Sequence, residues 1–133
     1  MIQKYGQRKN FVILVVEDDL LIRMTVVDAL RDAGFTVLEA EHAGHAIGYL
    51  QTDAENVNAV FMDVFMPGPI DGIALAHEAN RRWPWIAILI ASGRAMPYRS
   101  ELPLGSRFLP KPYRLAHVVQ NLQELTAGSL SSP

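Results

Sequence analysis

Cysteine is absent from the 133-residue chain, so no disulfide framework, thiolate metal site or thiol nucleophile is available to it. Strong charge of either sign is also missing: 12 Lys and Arg against 14 Asp and Glu leave a formal net charge of −2. With no basic stripe along the chain, direct binding of nucleic acid by bulk charge is excluded. No apolar run approaches the roughly 20 residues that a membrane-crossing helix needs, so no membrane contact is expected. The opening MIQKYGQRKN is polar and lacks the apolar core of a signal peptide. A cytoplasmic protein is the expectation. What the chain does have is ordinary for one globular domain, with 50% hydrophobic and 20% charged residues, and it is long enough to bury a core without staples.

Strand-like and helix-like patterns alternate along it. The run FVILVV (11–16) is β-branched and aromatic throughout, the pattern of a strand buried on both faces. Residues 20–33 then carry Leu20, Met24, Val27 and Leu30 at helical spacing, and Gly34 supplies a stop. FTVLEA (35–40) reads as a second strand. A helix over 43–51 follows, weakened by Gly44 and Gly48, each costing about 1 kcal/mol relative to Ala. AVFMDV (59–64) is a third strand, and a loop holding Pro67, Gly68 and Pro69 leads to Asp71, the N-cap of a helix reaching Arg82. Pro84 breaks the chain before a fourth strand, IAILIA (86–91). In 93–106, Pro97, Pro103 and two glycines leave room only for a short or irregular fourth helix. RFL (107–109) is a short fifth strand, and 113–125 a closing amphipathic helix. The chain thus divides into an N-terminal extension (1–10), one domain (11–125) and a flexible tail (126–133). Five strands alternating with helices predict an α/β fold with a doubly wound parallel sheet covered on both faces.

The residues that follow each strand are the informative ones. The first strand runs into Glu17 and Asp18, the third ends at Asp63, the fourth at Ser92, and the fifth runs into Lys111. In an open parallel sheet the C-terminal strand ends share one rim, and ligands bind there. Taken alone, Asp19 reads as a helix cap, Ser92 as a turn residue before Gly93, and Lys111 as a surface lysine. Asp63 is different, because an acid directly after AVFM interrupts a buried apolar run and calls for a partner. Four distant segments thus deliver three carboxylates, a hydroxyl and an ammonium to one edge.

Clustered carboxylates repel and bind protons more readily unless a cation sits among them. No His ends the three strands that carry the acids and the hydroxyl, so a hard divalent ion on oxygen ligands suits the cluster better than a soft transition metal. A carboxylate beside such an ion can attack a phosphoryl group and form an aspartyl phosphate. That role falls to Asp63, with Lys111 and Ser92 binding the phosphoryl oxygens.

The ordered set ILVVEDD, FMDVFMP followed by DG, ASG and FLPKP resembles the receiver domain of two-component response regulators, of the chemotaxis-regulator kind, over about residues 11–125. The resemblance implies a flavodoxin-like five-stranded sheet in the order 2-1-3-4-5. It implies that Asp63 is the phosphoacceptor, charged by a histidine kinase or a histidine phosphotransfer protein. Mg2+ (or Mn2+) would be held by Asp18, Asp63 and the backbone carbonyl of Phe65, with Glu17 helping through water. Ser92 takes the place of the switch hydroxyl, and Phe108 that of the aromatic whose rotamer reports phosphorylation to the surface of the fourth helix, fifth strand and closing helix. Phe65 and Arg94 occupy the two positions that tune dephosphorylation; the bulk of Phe65 suggests obstruction of the attacking water, packing on the loop being the alternative. A cis Lys111–Pro112 peptide, a downstream protein partner and homodimerisation on phosphorylation are implied as well.

This sequence departs from the family pattern in three places. The loop MPGPIDG is one residue longer than the commonest spacing, which bears on its shape and not on the chemistry. Pro110 removes a donor from the fifth strand, which an edge position tolerates. The stretch between Ser92 and Lys111 is short and proline-rich, so the output surface is expected to be atypical. A metal-dependent phosphohydrolase would commonly carry a second acid where Phe65 stands, and would need a cap segment; a non-enzyme that only phosphorylates and dephosphorylates itself is the expectation. A phosphorylation-independent interaction module is a third reading, opposed by the completeness of the set. The few residues after 125 are too short for an effector domain, and the expectation is a chain that acts directly on a partner or the receiver segment of a larger hybrid kinase or regulator. His42, His45, His77 and His117 are scattered and carry no metal site, and Trp83 and Trp85 read as packing anchors.

Overall fold

The structure is a computed structural model that describes residues 10–66, 68, 70–93 and 102–130, with side chains as far as residue 127. Strands β1 (Val12–Val16), β2 (Thr36–Ala40), β3 (Ala59–Asp63), β4 (Ala87–Ser92) and β5 (Arg107–Pro110) form one sheet. Its order is β2-β1-β3-β4-β5, and every neighbouring pair is parallel. Among the described residues there are four α-helices: α1 (Leu20–Asp32), α2 (Ala43–Asp53), α3 (Gly72–Arg82) and α4 (Leu115–Leu130). This is the doubly wound, flavodoxin-like architecture that the sequence predicts. The fourth helix expected within 93–106 falls largely outside the described residues, as does Arg94.

The strands read as continuous apolar runs because both faces of the sheet are covered. Ile13 and Val15 of β1 pack with Val26, Val27 and Leu30 of α1 and Val118 and Leu122 of α4. Leu14 and Val16, one residue out of phase, pack with Leu50 of α2 and Leu75, Ala76 and Ala79 of α3. The two-residue strand period thus feeds two cores from one sequence. Fully burying each such Val, Leu or Ile side chain contributes roughly 1.5–3 kcal/mol.

Local signals set the helix ends. Asp19 caps α1 by accepting from the Ile22 amide at 3.0 Å, and Asp71 caps α3 by accepting from the Ala74 amide at 2.9 Å. Gly34 closes α1 at φ +98°, while the Phe35 amide donates to the Leu30 carbonyl at 3.1 Å, a Schellman closure that favours glycine. His42 caps α2, its Nδ1 accepting from the His45 amide at 3.1 Å, so this pair serves local structure.

Three expectations need correction. Of the apolar set at helical spacing on α1, Val27 and Leu30 are buried, but Leu20 and Met24 are about half exposed; the fourth member of the buried stripe is Arg23. The closing helix does not fray at 125. It continues to Leu130, and Thr126 is buried because its hydroxyl donates to the Leu122 carbonyl at 2.7 Å, which leaves no polar group unpaired. Trp83 is a core anchor, whereas Trp85 is 56% exposed and touches the Ala54 carbonyl through its indole nitrogen. β5 is an edge strand, where Pro110 costs no ladder bond on the open side. No described helix is long and apolar enough to cross a membrane.

Candidate functional site

The rim is built by four strand exits, those of β1, β3, β4 and β5. At the end of β3, the Val64 amide donates to the Ala91 carbonyl at 2.9 Å, and the Gly72 amide donates to the Val64 carbonyl at 2.8 Å, so the chain leaving Asp63 is tied to both β4 and the start of α3. At the end of β4, the Ser92 carbonyl accepts from the Lys111 amide at 2.8 Å, which sets β5 alongside and delivers Lys111 to the rim. At the end of β1, the Glu17 amide donates to the Ala40 carbonyl of β2 at 3.0 Å.

Asp63 is buried, and both oxygens of its carboxylate are engaged. Oδ1 accepts from the Phe65 amide at 3.1 Å, and Oδ2 accepts from the Lys111 ammonium. A residue 48 positions away thus supplies the partner that the buried acid calls for. The Lys111–Pro112 peptide is cis. Glu17 is also buried; burial pushes its carboxyl above the usual carboxylate range. The Asp19 amide, which donates to Glu17 Oε2 at 3.0 Å, opposes that rise, while the Asp18 carboxyl and the Asp63 charge add to it. Asp18 itself is exposed. Tyr113, just past Lys111, is pushed up to about 12 by burial and then by Glu17 and Asp63, so the field of the acid pair extends to this phenol.

Ser92 is almost fully buried at the tip of β4, and Phe108 is half-buried on β5 opposite Ile90. The Phe65 side chain is 48% exposed beside Asp63, and Arg94 lies outside the described residues. An open groove of about 600 Å³ adjoins Lys111, walled by Leu21, Ile22 and Val26 on one side and Pro112, Tyr113 and Leu115 on the other.

The donor set suits a hard cation. Two neighbouring carboxylate positions just after β1 and one at the end of β3 offer oxygen only, and among the described residues no three acidic or imidazole side chains close around a point as an all-protein cage would. Mg2+ requires no such cage, since it keeps waters and shares one or two carboxylates with phosphate oxygens.

Sequence reasoning missed Arg23, Gly72 and Tyr113. For Arg23 the 23, 26, 27, 30 spacing is compatible with the stripe that faces the sheet, but spacing alone does not bury an arginine, which ordinarily faces water.

A model of the response regulator receiver domain matches residues 13–123 of the chain. The chain belongs to this family. As a receiver domain it is 34% identical over 116 residues to the sensor kinase CckA of Brucella abortus, covering 85% of this chain and 12% of that protein. It is 31% identical to the response regulator receiver protein CpdR of the same organism, over 85% of this chain and 94% of that one. A crystal structure of a response regulator receiver protein from Sinorhizobium medicae superposes with a TM-score of 0.83 at 27% identity, covering 90% of this chain and 96% of the other. The receiver domain therefore spans nearly all of one curated relative and about an eighth of another. It is a signalling domain of two-component systems.

Proposed function

We propose that the protein is a phosphoacceptor switch of a two-component phosphorelay, in which Asp63 takes a phosphoryl group from a phosphohistidine. The observation that carries this reading is the Asp63–Lys111 contact, which joins two strand exits at the rim beside the buried Glu17. In the transfer, a carboxylate oxygen of Asp63 bonds to phosphorus while the phosphorus–nitrogen bond to the donor imidazole breaks and its electron pair returns to the ring. The Lys111 ammonium then shifts from the carboxylate to the transferred group, and the Ser92 hydroxyl binds a second phosphoryl oxygen.

Asp18, Asp63 and the Phe65 carbonyl would hold Mg2+ or Mn2+, with Glu17 acting through water. The bound ion supplies charge neutralisation for the phosphoryl group. Movement of Ser92 towards that group frees space that Phe108 fills, and the changed β5–α4 face, where Arg107 meets Asn121 at 3.1 Å and Glu124 at 2.6 Å, alters binding of a downstream protein or of a second copy. The apolar groove beside Lys111 gives the cytoplasmic donor, a histidine kinase or histidine phosphotransfer protein, a surface next to the acceptor. Phe65 and Arg94, the latter outside the described residues, set how fast water removes the phosphoryl group.

The proposed chemistry suits a chain that is a receiver over nearly its whole length, as the alignment with CpdR has it, or a receiver segment of a longer protein, as the alignment with CckA has it. The test is transfer from a phosphorylated histidine phosphotransfer domain. Loss of label from the donor and its gain by this chain, abolished by EDTA or by Asp63→Asn, is expected. Binding of the same partner that is indifferent to Asp63→Asn and to phosphodonor would instead establish a phosphorylation-independent module.

A further inference from the structure

Arg23 is charged and yet only 8% exposed, on the stripe of α1 that otherwise buries Val26, Val27 and Leu30. Its Nη1 donates to the backbone carbonyl of Glu17 at 2.7 Å, a buried bond, and its Nε donates to Glu39 Oε1 on β2 at 3.0 Å. Its own amide donates to the Asp19 carbonyl at 2.9 Å. One residue therefore grips both ends of the acidic turn Glu17-Asp18-Asp19. Arg31 approaches the other oxygen of Glu39 only at 4.0 Å, so Arg23 is the principal partner of that carboxylate.

Stability is a weak account of this arrangement. Only the Arg23 side of the ion pair is buried, the Glu39 side chain being 38% exposed; solvent screens the attraction while the guanidinium still bears its desolvation. The geometry offers a better one. The Glu17 carbonyl and the Asp18 nitrogen and α-carbon lie in one peptide plane. Holding the oxygen restrains that plane, and with it the position of the Asp18 N–Cα bond from which the side chain departs. It also holds the turn in which the Asp19 amide meets the Glu17 carboxylate at 3.0 Å.

We infer that Arg23 is a positioning residue for the metal-binding acids: it sets the Glu17–Asp18 peptide, and Glu39 orients the guanidinium that does so. The inference rests on the Mg2+ site proposed above. Partners of metal ligands commonly change metal affinity by about 10- to 100-fold when removed.

The test is Mg2+ titration by calorimetry, well below each variant's melting temperature, together with amide hydrogen exchange of the metal-free protein. Arg23→Met is expected to weaken Mg2+ binding about tenfold and to speed exchange at the Asp19 amide. Glu39→Gln, which keeps an oxygen for Nε, is expected to lower the melting temperature with a smaller change in affinity. If Arg23→Met melts earlier but binds Mg2+ and protects Asp19 as the native protein does, Arg23 is a staple between α1 and β2 and the inference is overturned. If Arg23→Met does not fold, Arg23→Lys carries the same test, because one ammonium cannot hold both partners in the fork; an unchanged affinity again overturns it. Asp18→Asn and Asp63→Asn are the controls. Loss of Mg2+ binding in these, with none in the Arg23 variants, isolates the failure to Arg23, whereas a native protein that binds no Mg2+ overturns the metal site and this inference together.

Discussion

Gly72 is packed against the backbone of Asp63: a β-carbon on it would stand 2.1 Å from the Asp63 carbonyl oxygen and 2.7 Å from the Val64 α-carbon. The obstacle is main chain at the end of a central strand, which cannot swing aside as a flexible side chain could. The Asp-Gly pair at the start of α3 thus serves twice, with Asp71 capping the helix and Gly72 admitting the loop that carries the acceptor.

Gly72→Ala should therefore displace Asp63. The expected result is a stability loss of about 3 kcal/mol in urea titrations, the upper end for overpacking. Phosphorylation by a small donor should slow about 100-fold in the protein that still folds, since a displacement near 1 Å at a reacting group has that effect.

Glu17 should be a liability in the metal-free protein. Burial holds its carboxyl above the ordinary value of 4.5, so between that value and its folded value the native state binds more protons than the unfolded chain. Its contribution to stability then falls as pH rises through that window, and the full penalty is present above it. Glu17→Gln should raise the melting temperature near neutral pH without Mg2+, flatten the pH dependence above 4.5, and weaken Mg2+ binding about tenfold. Thermal melts across pH, with and without Mg2+, check both halves.

Phe65 follows the acceptor by two residues and has about half its surface open, and the proposed function has it obstruct water. Phe65→Asn should speed loss of the phosphoryl group about tenfold, which corresponds to about 1.4 kcal/mol of barrier. The check is the decay of phosphorylated protein after removal of donor; an unchanged decay would leave Phe65 as a loop-packing residue.

The sheet and its rim were legible in the sequence because their physics is local or periodic. A strand covered on both faces must read as an unbroken apolar run, so 11–16 and 59–62 could be placed without any partner in view, and the rule that ligands gather at C-terminal strand ends then brought Asp63 and Lys111 together. Arg23 was not legible as a buried residue, because arginine ordinarily faces water and its burial depends on the Glu17 carbonyl and on Glu39, 16 residues away. The extension of α4 was hidden for a related reason: Gly128 and Ser129 look like a stop, but Thr126 satisfies its hydroxyl inside the helix, which continues to Leu130. The exposure of Leu20 and Met24 follows from the same rotation of α1 that buries Arg23.

The most direct measurement is intact mass after incubation with acetyl phosphate and Mg2+, for the native protein and for Asp63→Asn. A gain of one hydroxylamine-labile phosphoryl group by the native protein, with none on Asp63→Asn and none in EDTA, is the predicted result. A gain of the same size on Asp63→Asn would contradict the assignment of Asp63 as the acceptor, and no gain by the native protein from either acetyl phosphate or a phosphohistidine donor would contradict the switch itself.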